Sequence, residues 1–283
     1  MQSSKNPGVH DWRDSDSRLQ ELLVKTSRTF ALAIPQLPQP TRREVTIAYL
    51  LFRIADTLED ASILWTRSQQ HAALDHFDDL MLEPCLDRAR ELAARWQADP
   101  PSEHPGYTEL LAETPFVIES FLGLSPEAQD SIAGHSRRTA QQMADFVTKT
   151  AGGVLRLEDI DDLRQYCYAV AGIVGEMLTD LFLLGSYELA PVADYLRARA
   201  VAFGEGLQLV NILKDSDSDA VEGRNYLPAG VSRDDVFALA RSDLEAATEY
   251  SLTLQQAGGP DGVVAFTALP VELAWATLEK VER

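Results

Sequence analysis

The sequence of 283 residues is poor in cysteine, which excludes one common class of small secreted protein. Its two cysteines, Cys85 and Cys167, are too few for a disulfide framework. We expect both to be packing residues in a reducing compartment. The five histidines show no zinc-ligand spacing, so a structural zinc site is not expected.

The chain also lacks positive charge. It contains 25 Lys and Arg residues against 44 Asp and Glu residues, a formal net charge of -19. This balance argues against binding nucleic acid through a basic face and against simple attraction to an anionic membrane. An anionic substrate would therefore have to bind together with cations.

Long hydrophobic runs are missing as well. No uninterrupted apolar stretch of about 18 residues occurs, and the N-terminal residues lack the apolar segment of a signal peptide. We expect a cytoplasmic protein, with at most a loose association with a membrane.

The sequence does show the apolar periodicity that is typical of helices. Apolar residues recur at three and four positions, and long stretches have few Gly or Pro residues. The pattern predicts an all-α protein, in one bundle that spans residues 1–283 with about the first 14 disordered. The predicted helices cover about 16–33, 40–62, 66–97, 107–122, 126–148, 158–186, 190–214, 231–256 and 262–280.

One acidic helix lies in "YLLFRIADTLEDA", residues 49–61. Asp56 and Asp60 are four residues apart and share one helix face with Arg53 and Tyr49. The other side of this helix carries the apolar stripe of an ordinary amphipathic helix. The acidic side chains are either a solvated face or part of a binding site.

A second segment repeats this arrangement, with Gln208, Asn211, Asp215 and Asp219 at spacings of three and four residues. Gln208 and Asn211 lie within an otherwise apolar helix, so we expect Asn211 to be buried and to face a polar group in the interior. A structural hydrogen bond between helices is the alternative. With Asp215 one turn later, a metal-binding or substrate-binding face explains the pattern better.

The alternating acids Asp215, Asp217 and Asp219 also resemble the start of a calcium loop. That loop requires Gly at its sixth position and Glu at its twelfth, where this sequence has Ala220 and Tyr226. A calcium loop is therefore rejected. In a continuing helix Asp217 points away from Asp219 and towards solvent.

Carboxylates on two separate helices suit a hard divalent cation. Mg²⁺ prefers oxygen ligands and typically binds one or two protein carboxylates together with phosphate oxygens of a substrate. A strongly acidic protein can bind a diphosphate when Mg²⁺ lies between them.

Two further segments carry candidate residues. In "DLRQYCYAVAGIVGEMLTDLF", residues 162–182, small side chains allow either tight helix packing or the close approach of a slender apolar ligand, and Tyr166 lies at the polar end. In "TSRTF", Ser27, Arg28 and Thr29 form a donor cluster that suits an anion, although Arg28 is equally plausible as a surface residue.

These segments, in this order, resemble the squalene and phytoene synthase family of head-to-head trans-prenyltransferases. The resemblance rests on "SRTFALAI", "YLLFRIADTLED", "YCYAVAGIVGEML" and "LQLVNILKDSDSDAVEGRNYLP" and covers roughly residues 27 to 270. "DTLED" and "SRTF" look more like squalene synthases than phytoene synthases.

The resemblance implies an isoprenoid-synthase helical bundle around a central cavity, with the two acidic segments facing each other at its mouth. It assigns Mg²⁺ binding to the residues that match the family's two acidic motifs and the supporting amide, which are Asp56, Asp60, Asn211, Asp215 and Asp219. Tyr166 matches the catalytic tyrosine. The residues that it places near the diphosphate, the prenyl chain or the cationic intermediate are Ser27, Arg28, Phe30, Tyr49, Arg53, Gln208 and Arg224.

The implied reaction joins two molecules of farnesyl diphosphate through presqualene diphosphate to squalene, with hydride from NADPH in the last step. The product leaves through a loose contact with the membrane. Two residues depart from the family pattern, Lys214 in place of Arg and Ser218 in place of Glu, and both weaken the expected diphosphate contacts. Reducing squalene synthases usually continue beyond the equivalent of residue 270, so hydroxysqualene, dehydrosqualene and phytoene remain alternative products. A non-catalytic binding or assembly protein is the rival interpretation.

Overall fold

The computed structural model describes residues 12–27, 29–149, 157–221, 226–228 and 230–282, and within these ranges the side chains of 15–216 and of the residues after 225. All regular elements in these ranges are helical, which confirms the predicted all-α class. The α-helices are α1 (Trp12–Thr26), α2 (Phe30–Ala33), α3 (Thr41–Glu59), α4 (Arg67–Leu82), α5 (Leu86–Ala98), α6 (Pro105–Ala112), α7 (Thr114–Leu122), α8 (Pro126–Lys149), α9 (Ile160–Cys167), α10 (Ile173–Gly185), α11 (Ala193–Val221), α12 (Arg233–Gln256) and α13 (Asp261–Glu282).

A π-helical turn, Tyr168–Gly172, joins α9 to α10, and 3₁₀ turns cover Ile34–Gln36, Ala61–Ile63 and Tyr187–Val192. The first helix, α1, begins at Trp12. Residues 1–11 lie outside the described residues.

Three predicted helices are divided or shifted. The prediction over 16–33 is interrupted between α1 and α2, and that over 66–97 is interrupted at 83–85, where Pro84 cannot continue α4. The helix predicted from 107 begins at Pro105, whose fixed φ suits the first helical position, and it ends at Ala112 before Pro115. Conversely, the helix predicted to end at 214 continues to Val221.

The helix α3 lies against most of the bundle. It contacts α1, α4, α6, α7, α8 and α10, and its inner face, which includes Leu51, Ile54 and Leu58, is completely buried. Removal of this stripe from water stabilises the fold and fixes which way the opposite face points. Tyr49, Arg53 and Asp56 lie on that opposite, less buried face.

The two cysteines differ in environment. Cys167 is fully buried in a hydrophobic cluster that includes Phe146, Leu163 and Leu209, as expected for a packing residue. Cys85 is exposed at the start of α5, so the expectation that it packs in the core is wrong. Its position is explained by Pro84, which ends the preceding helical segment and leaves Cys85 in a surface connection.

Glycine residues permit an unusually close contact between α10 and α11. A Cβ atom on Gly175 would lie 1.9 Å from the Ala200 carbonyl oxygen, and one on Gly204 would lie 2.0 Å from the Ala171 carbonyl oxygen. No side chain fits at such distances. The small residues of this region therefore serve tight helix packing, as one of the two sequence interpretations predicts.

Two helical stretches, Ile160–Gly185 and Asp261–Glu282, are long and apolar enough to cross a membrane by length and composition alone. Of the most apolar window, 56% is buried inside the bundle in the first stretch and 39% in the second. Core helices of soluble proteins share these properties, so the finding is weak evidence for a membrane span.

The α10–α11 contact makes a testable prediction. Gly175→Ala should destabilise the protein by about 1–3 kcal/mol, because the new methyl group forces the two backbones apart. Gly134→Ala is the matched control: it lies in α8, and beyond its own helical turn nothing lies within 4 Å of the added Cβ. It should stabilise by about 0.5–1 kcal/mol. Urea unfolding measures both. Equal stability of the two variants would show that the contact is less tight than described.

Candidate active site

The exposed edge of α3 and the inner edge of α11 enclose a cavity of about 210 Å³. Three residues of the predicted α3 face, Tyr49, Arg53 and Asp56, line it together with Gln208 and Asn211 from α11. The structure thus brings together residues that are far apart in the sequence but were predicted to share a site.

The rest of the cavity wall is apolar. Phe30 lies against Tyr49, with ring centroids 5.8 Å apart, and against Phe266 at 6.1 Å. The other apolar and small lining residues are Ile34, Val45, Phe52, Val170, Ala171, Val174, Gly175, Met177, Leu178, Phe203, Gly204 and Leu207. A polar mouth above an apolar interior suits a molecule with an anionic head and a hydrocarbon tail.

Arg53 connects the polar groups of the mouth. One Nη donates to the Tyr49 hydroxyl at 3.0 Å, and the other lies 3.3 Å from a carboxylate oxygen of Asp56. The guanidinium also lies over the rings of Tyr49 and Tyr107, at 5.5 and 5.6 Å from their centroids. Burial alone would lower the pKa of Arg53, but Asp56 and the two tyrosines hold it above its ordinary value, so the positive charge is permanent.

The Tyr49 hydroxyl anchors this group to the neighbouring helix, because it donates to the Thr26 carbonyl oxygen at 3.0 Å. Arg53 Nε is buried and has no hydrogen-bond partner. An unpartnered donor beside the cavity is available to an anion or to water.

The surroundings of Asp56 disfavour the charged form of its carboxyl group. Burial raises its pKa from 3.8 to about 6, Arg53 opposes the rise and Asp60 adds to it. Its side chain keeps 29% of its exposure, and that opening faces the cavity. A cation bound there would remove the cost of its charge.

Asp60 does not line the same cavity. It caps the C-terminal end of α3 and lines a neighbouring hollow of about 340 Å³ with Thr57, Ser102, His104 and Tyr107. Arg53 lines this hollow too and forms part of the wall between the two spaces.

The second acidic segment continues α11 beyond the cavity. Asn211 is exposed and lines the cavity, so the expectation that it is buried is wrong. Asp215 is partly exposed, and one of its carboxylate oxygens lies 3.1 Å from Lys214 Nζ. The side chain of Asp219 lies outside the described residues.

Tyr166 lies next to the cavity region but does not line the cavity. It is buried, it stacks on Tyr226 with centroids 5.0 Å apart, and Phe146 meets it edge-on at 5.3 Å. Burial raises its pKa well above 10.0, and Glu59, Tyr226 and Asp60 add to the rise. Its hydroxyl therefore keeps its proton and faces the acidic end of α3.

The "TSRTF" donor cluster has a partly structural role. The Ser27 hydroxyl accepts the Phe30 backbone N–H at 3.1 Å, which starts α2 and orients the Phe30 ring. Arg28 and Arg224 lie outside the described residues.

Sequence reasoning missed three aromatic residues of the site: Tyr107 beneath Arg53, Tyr226 on Tyr166 and Phe266 against Phe30. Tyr226 lies within a motif that was recognised, and Phe266 lies within the span of about residues 27 to 270 that the resemblance covers, so their positions gave a signal. Tyr107 follows a Pro-rich loop without periodicity, and nothing in the sequence relates it to Arg53.

A group of three or more acidic, histidine or cysteine ligands does not occur within the part of the chain that the structure describes. Asp219, which belongs to the predicted Mg²⁺ ligands, is outside the search. The donor types that are described, a strained carboxylate at Asp56 and an amide at Asn211, fit a hard cation that also binds substrate oxygens.

An all-α bundle with carboxylate, amide and guanidinium groups at the mouth of an apolar cavity defines the class of protein. The chain belongs to the squalene/phytoene synthase family, whose sequence pattern matches residues 23–238. This confirms the resemblance that the motifs indicated.

Individual relatives agree. The chain is 34% identical over 209 residues to a squalene synthase of Botryococcus braunii, covering 74% of this chain and 41% of the relative. It is 30% identical over 224 residues to a squalene synthase of Candida albicans, covering 79% of this chain and 48% of the relative. The chain thus spans about half the length of the relatives it matches.

Solved structures share the fold. A complex of TcSQS with the ligand E5700 superimposes with a TM-score of 0.73 at 26% identity, over 94% of this chain and 78% of that chain. The squalene synthase HpnC from Alicyclobacillus acidocaldarius has a TM-score of 0.59 at 17% identity, over 98% and 96% of the two chains, and supports the fold alone.

The raised pKa of Asp56 predicts a pH effect on stability. Because the folded-state pKa of about 6 exceeds the ordinary 3.8, the carboxyl stabilises the fold at acidic pH and this contribution is lost as pH rises from about 4 through about 6. Asp56→Asn should therefore be more stable than the parent at pH 8, by about 1–3 kcal/mol, with no difference near pH 4.

Thermal unfolding across this pH range measures the effect. Asp130→Asn, an exposed change on α8, is the control and should show no such pH-dependent gain. A loss of stability in Asp56→Asn at pH 8 would contradict the described environment of Asp56.

Proposed function

We propose that the chain catalyses the Mg²⁺-dependent head-to-head condensation of two farnesyl diphosphate molecules, through presqualene diphosphate, to squalene or a related C30 product. The observation that carries the proposal is the position of Asp56, Arg53 and Asn211 at the mouth of one apolar cavity, in a chain of the squalene/phytoene synthase family.

The polar mouth fits the diphosphate group. Arg53 supplies a permanent charge, and its orientation is fixed by Tyr49 and Asp56 before any ligand arrives. A charge held in place needs no reorganisation as the substrate loses diphosphate.

Mg²⁺ would be held by Asp56 and Asp60 from α3 and by Asn211, Asp215 and Asp219 from α11. When bound, it would neutralise the departing diphosphate and offset the repulsion between the carboxylates. Lys214, in place of the usual Arg, already contacts Asp215 at 3.1 Å, so this residue would act on the second acidic segment and leave fewer contacts for diphosphate.

The apolar wall suits the carbon chemistry. The C–O bond of the first farnesyl diphosphate breaks to give an allylic cation, and the double bond of the second farnesyl group attacks it. Loss of a proton then closes the cyclopropane of presqualene diphosphate. Phe30, Tyr49 and Phe266 place aromatic faces at the cavity, where they can stabilise the cation, and the apolar side chains exclude water that would trap it.

Tyr166 would act as a neutral hydroxyl, because burial beside Glu59 and Asp60 keeps it protonated. From its place next to the acidic end of α3 it would orient the released diphosphate, which accepts the proton. Tyr226, stacked on its ring, fixes that orientation.

The final product depends on the second ionisation. Hydride from NADPH would give squalene, and the squalene synthases among the relatives favour this outcome. Hydroxysqualene and dehydrosqualene are the alternatives from the same donor, and phytoene, a C40 product, would require a C20 prenyl diphosphate as substrate. Product release through a loose membrane contact from a cytoplasmic protein completes the proposal. Incubation with farnesyl diphosphate and Mg²⁺, with and without NADPH, followed by mass spectrometry, identifies the product. A non-catalytic binding or assembly protein would give none.

The acidic segments provide the sharpest test. Asp56→Asn and Asp215→Asn should each lower turnover at least about a hundredfold, as expected when a stabiliser of transition-state charge is lost. Excess chelator should abolish activity. Asp217→Asn is the matched control within the same acidic segment, and turnover should stay near the parent value. Full activity of both Asp56→Asn and Asp215→Asn would refute the metal assignment.

A further prediction separates chemistry from packing at Tyr166. Tyr166→Phe keeps the ring between Phe146 and Tyr226, so the melting temperature should change by less than about 4 °C. Turnover should fall at least about tenfold, because only the hydroxyl has been removed. Reduced stability with unchanged turnover per folded molecule would make the residue structural.

A further inference from the structure

The joint between α9, α11 and α12 contains two buried carboxyl groups and a half-exposed arginine that the proposed chemistry does not use. Glu205 on α11 and Asp243 on α12 are only 3% and 5% exposed. Arg164 on α9 donates from Nη2 to Glu205 Oε2 at 3.3 Å. We call Arg164, Glu205 and Asp243 the joint cluster.

Only Glu205 contacts the guanidinium in the joint cluster, and Asp243 is coupled to Arg164 electrostatically. Asp243 Oδ2 is buried without a hydrogen-bond partner. Burial raises the pKa of Glu205 to about 7, Arg164 opposes the rise and Asp243 adds to it. The pKa of Asp243 is raised by burial and lowered by Arg164.

The remaining titratable groups that face Glu205 stay neutral. Burial raises the pKa of the Cys167 thiol well above its ordinary value, and burial with Glu176 raises that of Tyr168. Burial thus favours the protonated form of both Glu205 and Asp243, opposite the Arg164 guanidinium.

The joint cluster connects the two segments that carry the site. Arg164 lies in the same short helix as Tyr166, and Glu205 lies in the same helix as Asn211. A Cβ atom on Gly206 would lie 3.1 Å from the Asp243 backbone carbon, so α12 approaches α11 closely at this level. The Glu205 end of the ion pair therefore lies in a tight helical joint, and the Arg164 side chain, which is 47% exposed, reaches it from the outside.

The orientation of α9, which carries Tyr166, is not determined by the contacts of α10 with α11. The glycine contacts at Gly175 and at Gly204 fix α10 and the end of the π-helical turn Tyr168–Gly172 against α11, but the first residues of that turn still separate these contacts from Tyr166. A π turn interrupts the regular i to i−4 hydrogen bonds, so α10 alone does not determine the rotation of α9. The contact of Arg164 with Glu205 supplies a second fixed point on the other side of Tyr166.

We propose that Glu205, supported by Asp243, is a positioning residue that acts through Arg164 to hold the Tyr166 segment in register with the helix of Asn211 and Asp215. This inference rests on the proposed function only where kcat is measured; hydrogen exchange and melting test it without that function. The hydrogen bond from the Arg164 guanidinium, and not the charge of Glu205, holds the two segments in register. This hydrogen bond remains when Glu205 is protonated.

Three variants test this requirement. Glu205→Leu removes the acceptor at similar volume and should lower kcat at least about tenfold while KM for farnesyl diphosphate changes less than about threefold. Glu205→Gln keeps an acceptor oxygen for Arg164 and should restore most of kcat. Glu249→Leu is the matched control, because the Arg199–Glu249 pair also joins α11 to α12, at 2.8 Å, but on the surface.

Amide hydrogen exchange gives a readout that needs no activity. In Glu205→Leu, residues 160–172 should exchange at least about fivefold faster than in the parent, whereas α3 and α8 should be unchanged. Glu205→Gln and Glu249→Leu should exchange like the parent. If Glu205→Leu does not fold, Arg164→Gln replaces it and should show the same local increase.

The pH dependence of stability distinguishes the effect of ionising Glu205 from the effect of its hydrogen bond to Arg164. Because the folded-state pKa of Glu205 is raised from 4.5 to about 7, its contribution to the stability of the parent is lost as pH rises between about 4.5 and about 7. Glu205→Gln cannot ionise and should lose less melting temperature over this interval. Equal melting curves for the two proteins would show that Glu205 is not buried as described.

The outcomes distinguish this inference from the proposed function. A parent that gives no prenyl product refutes the proposed function, while exchange and melting still decide the joint cluster. Exchange that rises uniformly along Glu205→Leu, or a kcat that falls only with the folded fraction, would make the cluster purely structural and overturn the positioning role. Failure of Glu205→Gln to restore kcat would do so as well.

Discussion

The close contact of α10 with α11 determines the width of the cavity that both helices line. Gly175 and Gly204 bring one backbone against the other with no room for a side chain, and the same residues form part of the cavity wall. This contact sets the distance between the cavity wall on α10 and the segment of α11 that carries Asn211, whereas the contact of Arg164 with Glu205 holds the segment of Tyr166. A wider contact between α10 and α11 would enlarge the cavity.

The mouth of the cavity combines groups that do not favour the folded state. The Asp56 charge is costly, since burial and Asp60 raise its pKa to about 6, and Arg53 leaves a buried Nε without a partner. Such costs are tolerated because the surrounding core is large and apolar, with α3 buried along its inner face. Ligand-binding sites often concentrate strained groups in this way, since a bound ligand relieves the strain.

The fold class and much of the site could be predicted from the sequence, because both depend on helical periodicity. The spacing of Tyr49, Arg53 and Asp56 places them on one face wherever the helix is buried on the other. The failures have a different origin. The exposure of Asn211 depends on the cavity, and the cavity is created by the packing of several helices. The pairing of Arg164 with Glu205 likewise depends on how α9 meets α11, and spacing within either helix does not reveal it.

Arg53 occupies the wall shared by the central cavity and the hollow that Asp60 lines. A single guanidinium thus contributes to the electrostatic potential of two spaces. An anion bound in one space reduces the attraction available to an anion in the other, so the two spaces are thermodynamically linked with negative cooperativity for like charges. The linkage is reciprocal: the factor by which an occupant of the hollow weakens binding in the cavity equals the factor by which an occupant of the cavity weakens binding in the hollow.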